Sequence, residues 1–243
     1  GGARILMAAT GAEKIIFAFS QKSEAEKLIS TKTAKMPFAS VKILSGRFPQ
    51  DDPGLIVSSL SGFRPTAKYL PFAAETCLDV FTAFVTGRPK THKRLTVSGD
   101  CIASPGEVCV PIGTVFSDVM DFCGGFREKP DAVISGGVMR GKPVALPGET
   151  PVCITTGGIL AVKRREEVRK YPCIRCGKCA DVCPKKLLPL YLLDASVKGN
   201  EKAMKKYGAD ICIRCGACEY ICPSGIKIIS AITAKSTATE AAK

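Results

Sequence analysis

One cysteine run, written twice, dominates the last third of the chain. Cys173-Ile174-Arg175-Cys176-Gly177-Lys178-Cys179 is followed by Ala180-Asp181-Val182 and Cys183-Pro184. The pattern returns 39 residues later as Cys212-Ile213-Arg214-Cys215-Gly216-Ala217-Cys218, Glu219-Tyr220-Ile221 and Cys222-Pro223. Both are C-x2-C-x2-C-x3-C-P, and together they take eight of the 13 cysteines. Three thiolates spaced two residues apart on a curling loop reach three irons of a cube without strain, and Gly177 and Gly216 let that loop turn tightly. The fourth cysteine, followed by proline, sits too far round the loop to close the same cube and serves the other cluster of a two-cluster module. The expected ligand sets therefore cross. Cys173, Cys176, Cys179 and Cys222 hold a first 4Fe-4S cluster, and Cys212, Cys215, Cys218 and Cys183 a second. A zinc ribbon is the main rival, but zinc uses two C-x2-C pairs and leaves the third and fourth cysteines of each run unexplained.

The rest of the composition narrows the function class. An odd number of cysteines, 13, cannot pair completely into disulfides within one copy. The length of 243 residues suits roughly two domains, and 46% hydrophobic residues can build a core. The longest uncharged stretch, Thr150 to Val162, is broken by Pro151, Gly157 and Gly158. It falls short of the roughly 20 apolar residues of a spanning helix, so no transmembrane segment is expected. A formal charge of +13 favours acidic partners. The basic residues lack the interleaved aromatics of single-strand binders, which argues against nucleic acid. Gly1-Gly2-Ala3-Arg4 carries neither an initiator methionine nor a signal pattern, and reads as a cut or processed end.

Around the cysteines, Lys185 to Asp210 reads as one or two amphipathic helices over the clusters, with Lys198, Lys202, Lys205 and Lys206 on a solvated face or a docking patch. Ile174, Ile213, Ile221 and Ile226 are expected to shield the clusters from water. Lys178 against Ala217 is the clearest asymmetry between the two runs. The tail from Ala231 to Lys243 reads as frayed, and Lys163 to Lys170 as an exposed linker helix.

Upstream, Lys14 to Phe19, Ser20 to Thr33 and Ser40 to Leu44 predict a strand, a helix and a strand in a βαβ unit. Leu55 to Val85, with Phe63, Leu70, Phe72, Leu78, Val80, Phe81 and Phe84, predicts core-forming helices. From Arg94 to Val162, short apolar runs (Leu95-Thr96-Val97, Val108-Cys109-Val110, Ala132-Val133-Ile134 and Ile159 to Val162) alternate with turns. A helix from Val115 to Cys123, stopped by Gly124-Gly125, completes a small mixed sheet packed on one helix. Cys77, Cys101, Cys109, Cys123 and Cys153 read as small core residues, and His92 as a solvated loop residue. Gly136 to Gly141 reads as a β-turn rather than a phosphate loop, and no G-x-G-x-x-G joins a strand to a helix.

The order of these parts resembles the C subunit family of the Rnf-type electron transport complex. The resemblance rests on Val97-Ser98-Gly99-Asp100 through Phe122-Cys123-Gly124-Gly125, on Ser135-Gly136-Gly137-Val138-Met139-Arg140-Gly141, and on Thr156-Gly157-Gly158-Ile159-Leu160. It continues into Pro172-Cys173-Ile174-Arg175-Cys176-Gly177, covers nearly the whole chain, and is strongest from Leu95 onward. It is shared with cobalamin reductase and with the NADH-binding subunit of respiratory complex I. The resemblance implies an α/β plus α+β chain, N-terminally truncated, in three parts. These are a partial Rossmann-like domain at residues 1–90, a β-grasp-like (SLBB) module at 91–162, and a ferredoxin-type two-cluster domain with its tail at 163–243.

In that family electrons pass from NADH through a flavin to two 4Fe-4S clusters and on to a partner. Here Phe48-Pro49-Gln50 is followed by Asp51-Asp52-Pro53, where the family carries Gly-Gly-Glu-Lys after Tyr-Pro-Gln, and the glycine-rich flavin loop is missing. Both departures argue against FMN and NADH in this chain. The expected role is a relay subunit of an anaerobic, cytoplasmic redox complex, peripheral to a membrane only through its partners, with an acidic ferredoxin or flavodoxin among the candidates. The alternative is a fragment of an NADH-dependent, FMN-containing oxidoreductase.

Overall fold

The computed structural model describes residues 1–61, 69–163 and 171–232, which divide into two compact units, 1–90 and 91–243. Phe63, the stretch 164–170 of the expected linker helix and residues 233–243 of the expected frayed tail lie outside the described residues. Among the described residues, no helix is long and apolar enough to cross a membrane.

The first unit runs α1 (Gly2–Thr10), β1 (Ile15–Phe19), α2 (Glu24–Thr33), β2 (Ala39–Ile43), α3 (Pro53–Ser61) and α4 (Ala74–Thr86). β1 and β2 pair in parallel from Ile15 opposite Ala39 to Phe19 opposite Ile43, with α2 as the crossover, which is the expected strand-helix-strand unit. The Ser23 side chain caps α2 by accepting from the Glu26 amide at 3.1 Å, and Glu24 and Glu26 place acid at the positive end of the helix. Asp52 does the same for α3. Its carboxylate accepts from the Leu55 amide at 3.1 Å, and Pro53 opens the helix where no amide is needed. α1 packs so closely on α4 that a Cβ on Gly2 would overlap the Cys77 carbonyl. Lys90 then ties down α4 through Glu75 at 2.7 Å and Asp79 at 2.6 Å, which share a helix face.

The expected core of this unit is not formed as expected. α4 carries no buried residue, and Leu70, Phe72, Leu78, Phe81 and Phe84 are all exposed. A two-stranded sheet has too little apolar face to cover so many large side chains.

The second unit begins with a five-stranded sheet of β3 (His92–Ser98), β4 (Gly106–Pro111), β5 (Ala132–Ser135), β6 (Lys142–Val144) and β7 (Gly158–Val162), with α5 (Phe116–Phe122) between β4 and β5. The strand order is β4-β3-β7-β5-β6. β3 and β7 run parallel and the other neighbours antiparallel. Lys93, Leu95 and Val97 alternate inward along β3, and Leu95, Val97, Ile159 and Ala161 meet Phe116, Val119 and Met120 of α5 in one core. Cys101 and Cys123 are buried there as expected, whereas Cys77 is half-buried and Cys109 and Cys153 are exposed. Cys109 lies on edge strand β4, where alternate side chains face away from the core. His92 is exposed but opens β3 instead of lying in a loop, because its backbone pairs with Pro111. Gly136 to Gly141 is the turn of a hairpin whose second strand, β6, is only three residues long and gave no alternating pattern to read.

The cysteine-rich remainder follows as α6 (Lys178–Asp181), α7 (Pro189–Val197), α8 (Glu201–Lys206), a 3-10 turn (Ala209–Ile211), α9 (Ala217–Tyr220) and helical residues 228–232. Leu187, Leu192, Ala195, Met204, Ile228 and Ile232 form its core.

Two phenylalanines of α5 give a test of this packing. Phe116 is 1% exposed and Phe122 79% exposed. In denaturant unfolding of the chain, Phe116→Ala should cost about 3–5 kcal/mol and Phe122→Ala no more than about 0.5 kcal/mol.

Candidate metal centre

The two cysteine runs fold alike, residue for residue. Arg175 and Arg214 adopt left-handed conformations at φ 55° and 52°, Gly177 and Gly216 both stand at 81°, and Lys186 and Gly225 stand at 55° and 63°. The hydrogen bonds repeat at the same offset. The Val182 and Ile221 amides donate to the Lys178 and Ala217 carbonyls, both at 3.1 Å. Those of Cys183 and Cys222 donate to Ala180 and Glu219, both at 3.2 Å, and those of Lys186 and Gly225 to the Cys183 and Cys222 carbonyls, both at 3.1 Å. Each run thus curls once, starts a one-turn helix at α6 or α9, and delivers its fourth cysteine at the far end.

Two cavities result. Cys173, Cys176 and Cys179 line one together with Cys222, and Cys212, Cys215 and Cys218 line the other together with Cys183. Three thiols in each ring come from one run and the fourth from the other. All are free thiols. Among the described residues, no group of three or more His, Cys, Asp or Glu closes tightly enough to hold a single metal ion, and the cysteines stand instead around these wider spaces. No sequence-named cysteine of the two runs falls outside a ring.

The walls are aliphatic. Ile226 lines the first cavity and Ile213 the second, as expected, Ile174 lines the first but is 66% exposed, and Ile221 lines neither and is 38% exposed. The leucines of the expected amphipathic helix over the clusters divide between the rings: Leu190 and Leu193 face the first, Leu187 and Leu192 the second. Their signal was present as a helical apolar run, but only the fold divides one helix between two cavities.

The duplication extends to the helices behind the rings. α7 starts at Pro189, and the helical residues 228–232 start 39 positions later. Proline at the start of α7 brings no amide to satisfy. In the second copy the Glu219 carboxylate accepts from the Ile229 and Ser230 amides and serves as the cap. The Ser196 hydroxyl donates to the Ala231 carbonyl and joins the two helices. The Leu187 amide points at Cys183 Sγ, 3.4 Å away, as a donor that would favour the thiolate.

The rings differ in burial. Cys173 and Cys176 are exposed, while their counterparts Cys212 and Cys215 are half-buried and buried. Cys215 and Cys218 are each 7% exposed. Burial pushes the Cys179 thiol up, against the pull of nearby backbone amides, and raises Cys215 as well. Burial, reinforced by the negative charges of Cys215 and Glu219, pushes Cys218 up to about 12. Metals bind the thiolate, so loading must displace these protons.

Below these raised values the free thiols hold their protons and compete with metal, so loading strengthens as pH rises, by up to about tenfold per pH unit for each proton released. Anaerobic reconstitution between about pH 7 and 9 should therefore steepen with pH more for the ring holding Cys215 and Cys218 than for the ring holding Cys179. Cys215→Ala and Cys173→Ala chains, each keeping one complete ring, would show this by absorbance.

Comparison with known proteins follows the same division. The 4Fe-4S dicluster domain family matches residues 172–226 and the SLBB domain family residues 94–143. The chain is 30% identical over 204 residues to the C subunit of the proton-translocating ferredoxin:NAD(+) oxidoreductase complex of Clostridium ljungdahlii, covering 79% of this chain and 44% of that one. It is 31% identical over 205 residues to the C subunit of the Na(+)-translocating ferredoxin:NAD(+) oxidoreductase complex of Acetobacterium woodii, covering 80% and 46%. Against the cobalamin reductase of Citrobacter freundii it is 30% identical over 209 residues, covering 77% and 46%. It thus spans less than half the length of these relatives. Among solved structures, the NAD+-reducing NiFe hydrogenase in the H2-reduced state shares the fold, with a TM-score of 0.54 at 16% identity over 96% of this chain and 49% of that one. The chain is a mixed α/β protein with an SLBB and a 4Fe-4S dicluster domain.

Proposed function

We propose that this chain, a relative of the C subunits of Rnf-type electron transport complexes, relays single electrons between redox partners in a larger assembly. The observation that carries the reading is the pair of four-cysteine rings, each completed by one cysteine of the opposite run. Thiols on a curled loop with aliphatic walls suit the donor chemistry of iron-sulfur clusters. Each 4Fe-4S cluster, when bound, takes up and returns one electron at a time.

The chain's own residues would do the following. Cys173, Cys176, Cys179 and Cys222 hold one cluster, and Cys212, Cys215, Cys218 and Cys183 the other. Leu187, Leu190, Leu192 and Leu193 keep water from the sulfurs, and the Leu187 amide tunes Cys183. On this reading residues 1–90 are a partial Rossmann-like domain, 91–162 a β-grasp-like SLBB module, and 163–243 a ferredoxin-type domain. The exposed lysines Lys202, Lys205 and Lys206 favour an acidic one-electron carrier of ferredoxin or flavodoxin type, while Lys198 is paired with Asp194 at 2.9 Å. Association with a membrane runs through partner subunits on the cytoplasmic side, a reading supported by those relatives that are subunits of ion-translocating complexes.

FMN and NADH are left out of this reading. Phosphates seek free backbone amides at a helix start. Here the start of α3 is occupied by the Asp52 carboxylate, with Asp51 and Pro53 beside it.

Anaerobically reconstituted chain should hold about eight irons and eight sulfides. Cys183→Ala should damage the cluster of Cys212, Cys215 and Cys218 and spare the other, as read by electron paramagnetic resonance. Stoichiometric zinc without sulfide would sink the reading, and loss of the opposite cluster would mean that each run closes its own cube. Separately, dithionite should bleach the reconstituted clusters and NADH with added FMN should not. Bleaching by NADH would restore the oxidoreductase alternative.

A further inference from the structure

The two runs share one sequence pattern and one backbone path, so any difference in their surroundings is imposed from outside them. At Gly177 nothing would meet an added Cβ within 4 Å. At Gly216 a Cβ would lie 3.2 Å from the Met139 carbonyl oxygen and 3.5 Å from its methyl carbon. Met139 belongs to the β5–β6 turn of the SLBB domain, which the Gly141 amide closes by donating to the Gly137 carbonyl at 2.6 Å. This turn lies over the loop between Cys215 and Cys218, both 7% exposed, whereas Cys173 and Cys176 in the first run are exposed and Ile174 beside them is 66% exposed. The residues after the two glycines fit the same contrast. Ala217 is 5% exposed, and its counterpart Lys178 is exposed. A lysine at 217 would have to be buried where alanine now sits, so the one difference between the runs that falls before their third cysteine lies at the covered position.

We propose that the SLBB domain is a one-sided cover. Its β5–β6 turn, through Met139 seated on Gly216 beside the buried Ala217, shuts the second ring off from solvent. The first ring, with Lys178 exposed at its rim where the second run has the buried Ala217, is the face that meets an external anionic one-electron carrier, which gains the electron its donor cluster loses or the reverse. Small size at 216 and 217 is what lets the turn approach, and a positive rim is what attracts the carrier. The proposal rests on the reading that each ring holds a cluster.

The test is removal of iron from the anaerobically reconstituted full chain by bathophenanthroline disulfonate, an anionic Fe(II) chelator. Iron and sulfide are counted beforehand. With about eight of each bound, the expected result is two phases of about four irons each, the fast phase being absent in Cys173→Ser. Met139→Ala should quicken the slow phase by roughly fivefold, the effect of losing one modest contact, and leave the fast phase unmoved. Ala217→Lys, which attacks the same seat from the other side, should do likewise, and Lys178→Ala should leave the slow phase unchanged. One common rate for all irons, a fast phase that survives Cys173→Ser, or a slow phase indifferent to both Met139→Ala and Ala217→Lys overturns the proposal. Failure to take up sulfide overturns the cluster reading first, and the cover with it.

Discussion

Three thiols two residues apart can face one point only if the chain turns against its own handedness. That requirement shapes the cysteine-rich module. Arg175, Lys186 and Arg214 all sit in the left-handed region, where a residue with a Cβ gives up about 1–2 kcal/mol. Gly177, Gly216 and Gly225 accept the same geometry without that cost. The short helices α6 and α9, the position of the fourth cysteine and the start of the helix behind each ring all follow from where these turns fall. The packing of α7 on residues 228–232 brings the far end of each run to the other ring, so the two halves complete each other.

A duplicated motif gives two equivalent sites only in equivalent surroundings, and here they are not equivalent. Gly216 of the second run lies against Met139 of the β5–β6 turn, while an added Cβ at Gly177 of the first would meet nothing within 4 Å. Burial then raises the thiols of Cys215 and Cys218 more than an exposed thiol would allow. The residue that meets Gly216, Met139, stands more than 70 positions before it in sequence. The helix caps show the same economy of local solutions. One copy begins its helix with Pro189 and needs no acceptor, and the other has amides at Ile229 and Ser230 and supplies Glu219.

The first unit obeys ordinary local rules yet leaves its apolar helix α4 facing outward. Ser23 and Asp52 cap their helices, Gly11 and Gly87 end theirs in the left-handed conformation, and the parallel pair forms where β-branched and aromatic residues lie. Asp52 therefore has a structural reason to stand before Pro53, quite apart from any effect on a bound phosphate. Local signals can make each element correctly and still not decide what covers it.

The sequence by itself determined what depends on neighbours along the chain. This covers the spacing of the thiols, the glycines that turn between them, the βαβ unit of β1, α2 and β2, and the stop of α5 at Gly124-Gly125. Each rests on periodicity or on backbone freedom, and both are written locally. Tertiary structure alone decided how Leu187 to Leu193 divide between the rings. It also decided that Ile221 turns away, that Cys109 and Cys153 reach the surface, and that one ring is covered. Contacts between residues far apart in sequence depend on how whole elements pack. A motif repeated at 39 residues carries no record of which copy a distant turn will choose.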